Sequence, residues 1–359
     1  MAPSSLAEPY DNPGLQIGSR RQAVQRILVG LELSPRLLSE ARRRRCDTVL
    51  VHHPLFFLPV KRLLEEELVG GLALAVARAR LTLIAAHTNL DKSPEGTGPA
   101  LAAELGLRHT EVLLPERLGA DVKFVVFVPA GHEAKVIEAI HRGGGGVIGE
   151  YDHCSFRAEG TGSFRGSARA NPAVGQAGRL EQVREFRLES LVPRRALASV
   201  LDAVRRVHPY EEMAFDVYPL EQPLSPFGLG LRATLERPMT LRAWAAHVKR
   251  RLRLRSVRMV GDPQQRVRHV ALATGACEFL LRDLAPPHID CLVTGDVKYH
   301  LAVEARAKGL GVVDPGHWAS EVIVCEPWAR ALHRRLTAKG WSVDVFAATE
   351  NDPDPFVTV

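Results

Sequence analysis

The stretch RILVGLELSPRLLSEARRRRCDTVLVHHP, residues 26–54, decides the fold class. Two short β-branched apolar runs, RILVGLELS and DTVLVHHP, flank SPRLLSEARRRR, which carries helical spacing after a Ser-Pro start. Strand, helix and strand at this pitch make a βαβ unit, and such units build mostly parallel sheets. In those sheets ligands bind at the carboxyl ends of the strands. DTVLVHHP delivers His52 and His53 to that edge. Successive strand residues point to opposite faces, so two adjacent histidines sealed by Pro54 are a poor way to build a core.

The rest of the chain is bounded by its size and composition. At 359 residues it exceeds one ordinary core, and two or three domains are expected. Its hydrophobic fraction of 46% and charged fraction of 25% exclude disordered and fibrous classes. A net charge of +6 is modest for this length, and the densest basic run, Arg42 to Arg45, reads as a solvated helix C-terminus favoured by the helix dipole. A nucleic-acid footprint is therefore disfavoured. The five cysteines (Cys46, Cys154, Cys277, Cys291, Cys325) are dispersed without a CxxC, which fits buried thiols in a reducing compartment. The opening MAPSSLAEPYDNPG has no basic start or apolar h-region, and no run reaches the 18 or so apolar residues of a membrane span. A soluble, cytoplasmic protein is expected.

Three segments emerge along the chain. Residues 1–118 alternate strand and helix patterns, with LTLIAAHTNLD a further strand and GPALAAELGL a helix ending at a glycine. Residues 119–222 read as strand (VKFVVFVP), helix (HEAKVIEAIHRGG), strand (EYDHCSFRAE), a long small-residue loop (GTGSFRGSARANPAVGQAGR), strand (EQVREFRLES), helix (VPRRALASVLDAVRRVH) and strand (MAFDVYPLE). That β-α-β-β-α-β order is the ferredoxin-like arrangement, and it ends at a linker near QPLSP, residues 222–226. Residues 223–359 return to strands (RHVALATG, DCLVTGD, LGVVDPGH, WSVDVFAA) alternating with helical periods (EFLLRDLA, KYHLAVEARAKG, SEVIVCEPWARALHRRLTAKG). The expected architecture is a two-lobed, mostly parallel α/β core interrupted by an α+β insertion.

Chemistry-bearing residues concentrate at predicted strand ends. His52 and His53 close one strand, His87 and Asp91 lie in HTNLD, Asp296 and His300 in TGDVKYH, and His317 and Glu321 in DPGHWASE. Packing does not require four strand ends to deliver imidazoles and carboxylates to one edge. Such mixtures suit divalent ions such as Zn, Mn or Fe, and the absence of a cysteine pattern argues against a structural zinc site. His317 and Glu321 are four apart at the start of a helical pattern continuing to residue 339, so they share one helix face. Taken alone, that pair reads as a surface i,i+4 contact, and the HH pair as packing plus a backbone hydrogen bond. The convergence of all four stretches favours metal. Two neighbouring ions need carboxylates to screen their repulsion, and Asp91 and Glu321 are available. The glycines at 143–146, GTGSF and HPYEE read more simply as helix termination, a loop and a connection than as ligand cradles.

Several stretches together resemble a known family. LAEPYDNPGLQIG, VLVHHPLFF, AAHTNLD, VTGDVKYH and VVDPGHWASE occur in the order seen in the Nif-three-like dinuclear-metal family, whose bacterial members are commonly called GTP cyclohydrolase 1 type 2 homologues. The middle segment is similar to the PII/CutA-like insertion of its longer bacterial members. The resemblance implies five metal ligands, His52, His53, Asp91, His317 and Glu321, holding two divalent metal ions per subunit. It implies lesser roles at the same pocket for His87, Asp296 and His300, the candidate catalytic residues, and places Asp11 and Asn12 along the same edge. It also implies a toroidal homohexamer, with itself as principal partner and a nucleotide or small-molecule substrate. Where many members carry a Gly-Gly-Ser-Gly-like turn, this chain has TGAC (274–277), which bears on substrate preference because that turn borders the pocket. The Asn-Asp pair expected after HTNLD is likewise replaced by the Gly98-Pro99 stretch. The activity implied is a metal-dependent hydrolase acting on a nucleotide such as GTP or on a phosphoester. A non-enzymatic metal-binding or regulatory assembly is the alternative.

Overall fold

In the computed structural model, residues 1–116, 121–220 and 225–357 are described. The chain divides into two compact units, one formed by 1–116 with 225–359 and the other by 117–224. The boundaries expected at 118/119 and 222/223 lie outside the described residues, as does most of the expected 222–226 linker.

The first passage of the chain through the larger unit carries β1 (Gly14–Ile17), β2 (Arg26–Gly30), α1 (Pro35–Arg43), β3 (Thr48–Val51), α2 (Leu68–Arg78), β4 (Thr82–Ala85), α3 (Thr88–Asp91), α4 (Thr97–Glu104) and β5 (Glu111–Pro115). The smaller unit follows with β6 (Asp121–Pro129), α5 (Glu133–Arg142), β7 (Ser155–Arg165), β8 (Leu180–Pro193), α6 (Leu197–Arg205) and β9 (Phe215–Pro219). The return passage carries β10 (Gly228–Thr240), α7 (Leu241–Arg251), β11 (Arg258–Val260), β12 (Arg266–Leu272), β13 (Cys291–Val293), α8 (Tyr299–Ala307), β14 (Gly311–Asp314), α9 (His317–Glu321), α10 (Cys325–Ala338) and β15 (Asp344–Ala347).

Two sheets build the larger unit. One has the order β1-β4-β3-β2-β15, in which β15, β2, β3 and β4 run parallel and β1 closes the edge antiparallel. The other has the order β11-β14-β13-β12-β10-β5, with a parallel centre of β12, β13 and β14 and antiparallel flanks. The α/β class is thus as the sequence indicates, refined to parallel centres with antiparallel margins. The pairing of β5 with β10 has a simple origin. The chain leaves this unit just after β5 and re-enters at β10, and the two flanking strands zip together, Gly228 opposite Pro115.

The parallel strands read as unbroken apolar runs because both faces are covered. Leu28, Val49 and Leu83 pack with Leu37, Leu38 and Val76 of α1 and α2. On the opposite face Val29 and Leu50 pack with Trp328 and Ala329 of α10. Each such fully buried Leu or Val contributes about 1.5–3 kcal/mol. Helix α1 starts where Ser34 accepts from the Leu37 N–H (3.1 Å) with Pro35 at the first helical position, and ends in Arg42 and Arg43. In the second sheet, Trp244 and Val248 of α7 and Leu101 of α4 cover one face. Leu301 and Ala305 of α8 cover the other.

The smaller unit has the sheet order β7-β8-β6-β9, antiparallel throughout, with Val136 and Ile140 of α5 and Val200 and Val204 of α6 packed on Phe124, Val126 and Leu188. Its β-α-β-β-α-β order is ferredoxin-like.

Three local expectations change. GTGSFR, expected in a loop, continues β7 to Arg165 because it pairs residue by residue with β8, Gly160 opposite Glu185 and Arg165 opposite Leu180. EFLLRDLA forms only a 3-10 turn, Glu278–Arg282. The helical pattern from His317 to residue 339 is split by a 3-10 turn at Val322–Val324. Pro327 explains the split, since it has no N–H to donate to the carbonyl four residues earlier.

Candidate metal centre

Five strand ends of the larger unit converge. β3 leads into His52 and His53, and β4 leads through His87 into α3 and Asp91. β12 leads into Thr274–Cys277, β13 into Gly295 and Asp296, and β14 through Pro315 and Gly316 into α9, which holds His317 and Glu321. The carboxyl edges of the two sheets therefore face one site.

Glu321 is its centre. The side chain is 4% exposed, and its two oxygens face different partners. Oε2 accepts from His53 Nε2 at 2.8 Å and lies 3.1 Å from His317 Nε2. Oε1 faces His52 Nε2 at 3.7 Å, and that nitrogen is 3.5 Å from Asp91 Oδ1. His52 is fully buried; its Nδ1–H donates to the Ala86 carbonyl at 2.9 Å, which leaves the Nε2 lone pair aimed at the two carboxylates. That Nε2 is buried without a hydrogen-bond partner among the described residues. A buried, unpaired imidazole nitrogen is costly unless something absent from the polypeptide completes it.

The orienting contacts are specific. Asp11 accepts from Thr88 N (3.0 Å) and Thr88 Oγ1 (2.5 Å), so it is a pure acceptor and the His87 Nδ1 held 2.8 Å away must carry the proton. Asp296 plays the same part for His317, receiving Nδ1–H at 2.8 Å. Thr97 Oγ1 donates to Asp91 Oδ1 (2.6 Å) and itself accepts from Thr274 Oγ1 (2.7 Å). Such outer contacts fix tautomer and direction in metal sites.

Electrostatics favour a cation here. Burial alone would lower the His52 pKa, but Asp91 and Glu321 outweigh it and raise it to about 9. His317 is raised to about 9, first by its contact with Glu321. Burial would raise Glu321, yet His52, His317 and His53 hold it well below the usual carboxylate range. The pocket calls for positive charge at the point where His52 Nε2 is aimed, and a divalent ion satisfies that demand as a proton does. Donor atoms of His52, Asp91 and Glu321 lie within 4.8 Å of one another, as do those of His53, His317 and Glu321, and those of His52, His53 and His87. The residues therefore fit a metal ion.

All five expected ligands and His87 meet in one cluster, with Asp296 joined through His317 and Asp11 through His87. Asn12 stands one step back, donating to the Phe56 carbonyl at 2.6 Å. His300 is not brought in; it is exposed at the second position of α8, its ring against Tyr299. Three contributors escaped sequence reasoning. Glu32, whose carboxylate is 3.6 Å from His53 Nδ1, sits just past the end of β2, so the strand-edge rule that found the histidines would have found it. Thr97 gives no sequence signal. Gly275 has φ +64, and a Cβ there would fall 2.2 Å from Glu321 Oε1 and 3.3 Å from His317 Nε2, so only glycine leaves room for the carboxylate.

A cleft of about 440 Å³ opens on the cluster, lined among others by Tyr10, Phe57, His87, Thr274, Ala276 and Cys277. The TGAC turn thus forms a wall of this cleft. A second cleft of about 1000 Å³ reaches His53, Glu32 and His317 from the side of Arg253, Arg255 and Arg258.

Known proteins resemble this chain over nearly its whole length. The chain is 38% identical over 355 residues to a Bacillus subtilis protein named GTP cyclohydrolase 1 type 2 homolog, covering 99% of this chain and 95% of that one. A Mycobacterium tuberculosis protein of the same name is 36% identical over 340 residues, covering 94% and 89%. Among solved structures, a Bacillus cereus protein related to NIF3 superposes with a TM-score of 0.71 at 36% identity, covering 100% of this chain and 96% of that one. The Staphylococcus aureus protein SA1388 superposes with a TM-score of 0.79 at 28% identity, covering 100% and 95%. With the family model matching residues 1–354, the chain belongs to the Duf34/NIF3 (NGG1p interacting factor 3) family.

Proposed function

We propose that this protein is a dinuclear-metal hydrolase acting on a nucleotide, in the manner of a GTP cyclohydrolase, or on a related phosphoester. One observation carries the reading: the two oxygens of Glu321 face two separate donor sets, His52 with Asp91 and His53 with His317. That is the disposition of a carboxylate shared between neighbouring ions. The name carried by the Bacillus subtilis relative supports a nucleotide substrate. The arginines at 253 and 255, exposed along the larger cleft, supply charge for a phosphate-bearing one.

When bound, divalent ions at these two donor sets supply a Lewis acid and bring the pKa of a water toward neutrality. The polypeptide does the rest. Asp11 keeps the His87 proton on Nδ1, so Nε2 is free to accept a proton at the cleft wall. Asp296 keeps the His317 ring in one orientation, and Thr97 does the same for Asp91. Tyr10 and Phe57, edge to face with centroids 6.4 Å apart, line the cleft with apolar surface, and the Phe57 ring stands edge-on to His87 at 5.9 Å.

The test is metal content and turnover of GTP and of a phosphoester panel, for wild type and for His52→Ala/Glu321→Ala. Two equivalents of metal at this cluster, with turnover, are expected in the wild type, and the double variant is expected to lose those equivalents and the turnover. A metal-loaded wild type inert toward the whole panel would overturn the hydrolase reading and leave a metal-binding assembly.

A further inference from the structure

A second cluster of ligand-type side chains lies wholly within the smaller unit. Helix α5 places Glu138 and His141 three residues apart, on one face, in its last turns. The glycines after it then reverse the chain. Gly144 (φ +95) and Gly146 (φ +72) adopt left-handed backbone, and a tight turn follows in which Ile148 pairs with Tyr151. The chain thereby returns to α5 with Asp152 and His153. The glycine run, which in sequence reads as mere helix termination, is what juxtaposes them.

The contacts are close. The imidazoles of His141 and His153 stack with centroids 3.8 Å apart and planes inclined by 29°. His153 Nδ1 is 3.0 Å from Asp152 Oδ1, and its Nε2 is 3.1 Å from Glu138 Oε2. One donor atom from each of His141, Asp152 and His153 lies within 4.8 Å of the others. His141 Nδ1 is buried with no hydrogen-bond partner among the described residues.

An ion-pair network alone does not account for this set. It satisfies His153, which has a carboxylate at each nitrogen, but it brings a second imidazole onto the first with a buried nitrogen unmatched. A cation that accepts nitrogen and oxygen donors together completes both rings. We infer that His141, Asp152 and His153 form a binding site for one divalent transition-metal ion of the Zn²⁺, Cu²⁺ or Ni²⁺ class, with Glu138 receiving the His153 Nε2–H and so leaving Nδ1, beside Asp152, to face the ion. Two imidazoles with one carboxylate make a nitrogen-rich donor set of the type such ions prefer, whereas a hard ion such as Mg²⁺ or Ca²⁺ favours oxygen alone. The site is carried by residues 138–153 and is independent of the cluster around Glu321 and of any activity assigned to it.

The experiment uses the full chain, stripped with a chelator and titrated with Zn²⁺ alone by calorimetry. Wild type is compared with His141→Ala/His153→Ala and with the isosteric Asp152→Asn. The double variant is expected to bind one equivalent fewer than wild type while retaining the equivalents that His52→Ala removes. Asp152→Asn is expected to weaken that same equivalent about tenfold or more. Loaded with Cu²⁺ in the His52→Ala background, the chain is expected to show nitrogen couplings by electron paramagnetic resonance that vanish when His141 and His153 are replaced. Full Zn²⁺ stoichiometry in a folded double variant would overturn the proposal. If the double variant fails to fold, unchanged Zn²⁺ affinity in Asp152→Asn overturns it instead.

Discussion

Gly275→Ala is the sharpest perturbation of the site around Glu321, because it adds one methyl group and removes no ligand. The new Cβ would stand 2.2 Å from Glu321 Oε1, where ordinary contact begins at 3.4 Å, so the carboxylate must retreat by about 1.2 Å. It has little freedom to do so. Oε2 is held between His53 and His317, and Oε1 is the oxygen facing His52. The backbone cannot absorb the clash cheaply either, since the Gly275 carbonyl accepts from Gly295 N (2.9 Å) and its N–H donates to Ser320 Oγ (3.0 Å). The φ of +64 adds about 1–2 kcal/mol of strain for alanine. Displacing a ligand by about 1 Å costs on the order of 100-fold where geometry is fixed. Metal affinity at this cluster is therefore expected to fall by roughly 10–100-fold, measured by competition with a chromophoric chelator. Gly309→Ala isolates the strain, because Gly309 has φ +71 with nothing near its added Cβ. It is expected to lower stability by a similar 1–2 kcal/mol while binding metal normally. Wild-type affinity in Gly275→Ala would refute the reasoning, since it would mean that Glu321 need not occupy the observed position to hold metal.

Two further outcomes follow from other contacts. Asp296→Asn keeps a residue type tolerant of the left-handed φ of +54, yet replaces the carboxylate that receives His317 Nδ1–H. Metal affinity is expected to fall about 10–100-fold with an unchanged melting temperature, whereas His300→Ala leaves both unchanged. Glu40 tethers α1 to the C-terminal segment, its 2% exposed carboxylate accepting from Thr349 N (3.1 Å), Thr349 Oγ1 (3.0 Å), Glu350 N (2.9 Å) and Arg44 Nε (2.8 Å). Burial alone would raise its pKa, but these donors outweigh it and hold it below the ordinary 4.5. A depressed carboxylate stabilises the fold above its unfolded value and loses that contribution as pH falls through the folded one. Glu40→Gln is thus expected to cost about 1–3 kcal/mol at pH 7, with the gap to wild type closing below pH 4.5, read by denaturant midpoints across pH. A gap that does not begin to narrow as pH falls below 4.5 would show that the charge is not what matters.

Much of this protein is legible from local pattern. The stretch 26–54 announces parallel strands because both faces of such a strand are buried, and burial on both faces leaves an unbroken apolar run. Chain position alone predicts that His52, His53, His87, Asp91, Asp296, His300, His317 and Glu321 share one edge, because a parallel sheet presents the residues after its strands there, while the choice of five ligands among them is what the family resemblance implies. The strands that flank the parallel centres were harder to read. GLGLRATLERPMT became β10 only through pairing with β5, more than a hundred positions away, and with β12, about twenty-five to forty positions away.

What tertiary structure alone decided is which neighbours complete each group. Nothing in TGAC says that its glycine must face a carboxylate forty-six residues on, because a Cβ clash exists only once α9 is packed against the turn. The exclusion of His300 has the same character. Its spacing from Asp296 fits the motif, but the helix that begins at Tyr299 leaves it exposed, and helix phase relative to a distant cluster is set by packing. The two oxygens of Glu321 are the clearest case. Sequence supplies a carboxylate four residues after a histidine, and only the meeting of two sheet edges gives Oε2 the imidazoles of His53 and His317 and Oε1 that of His52.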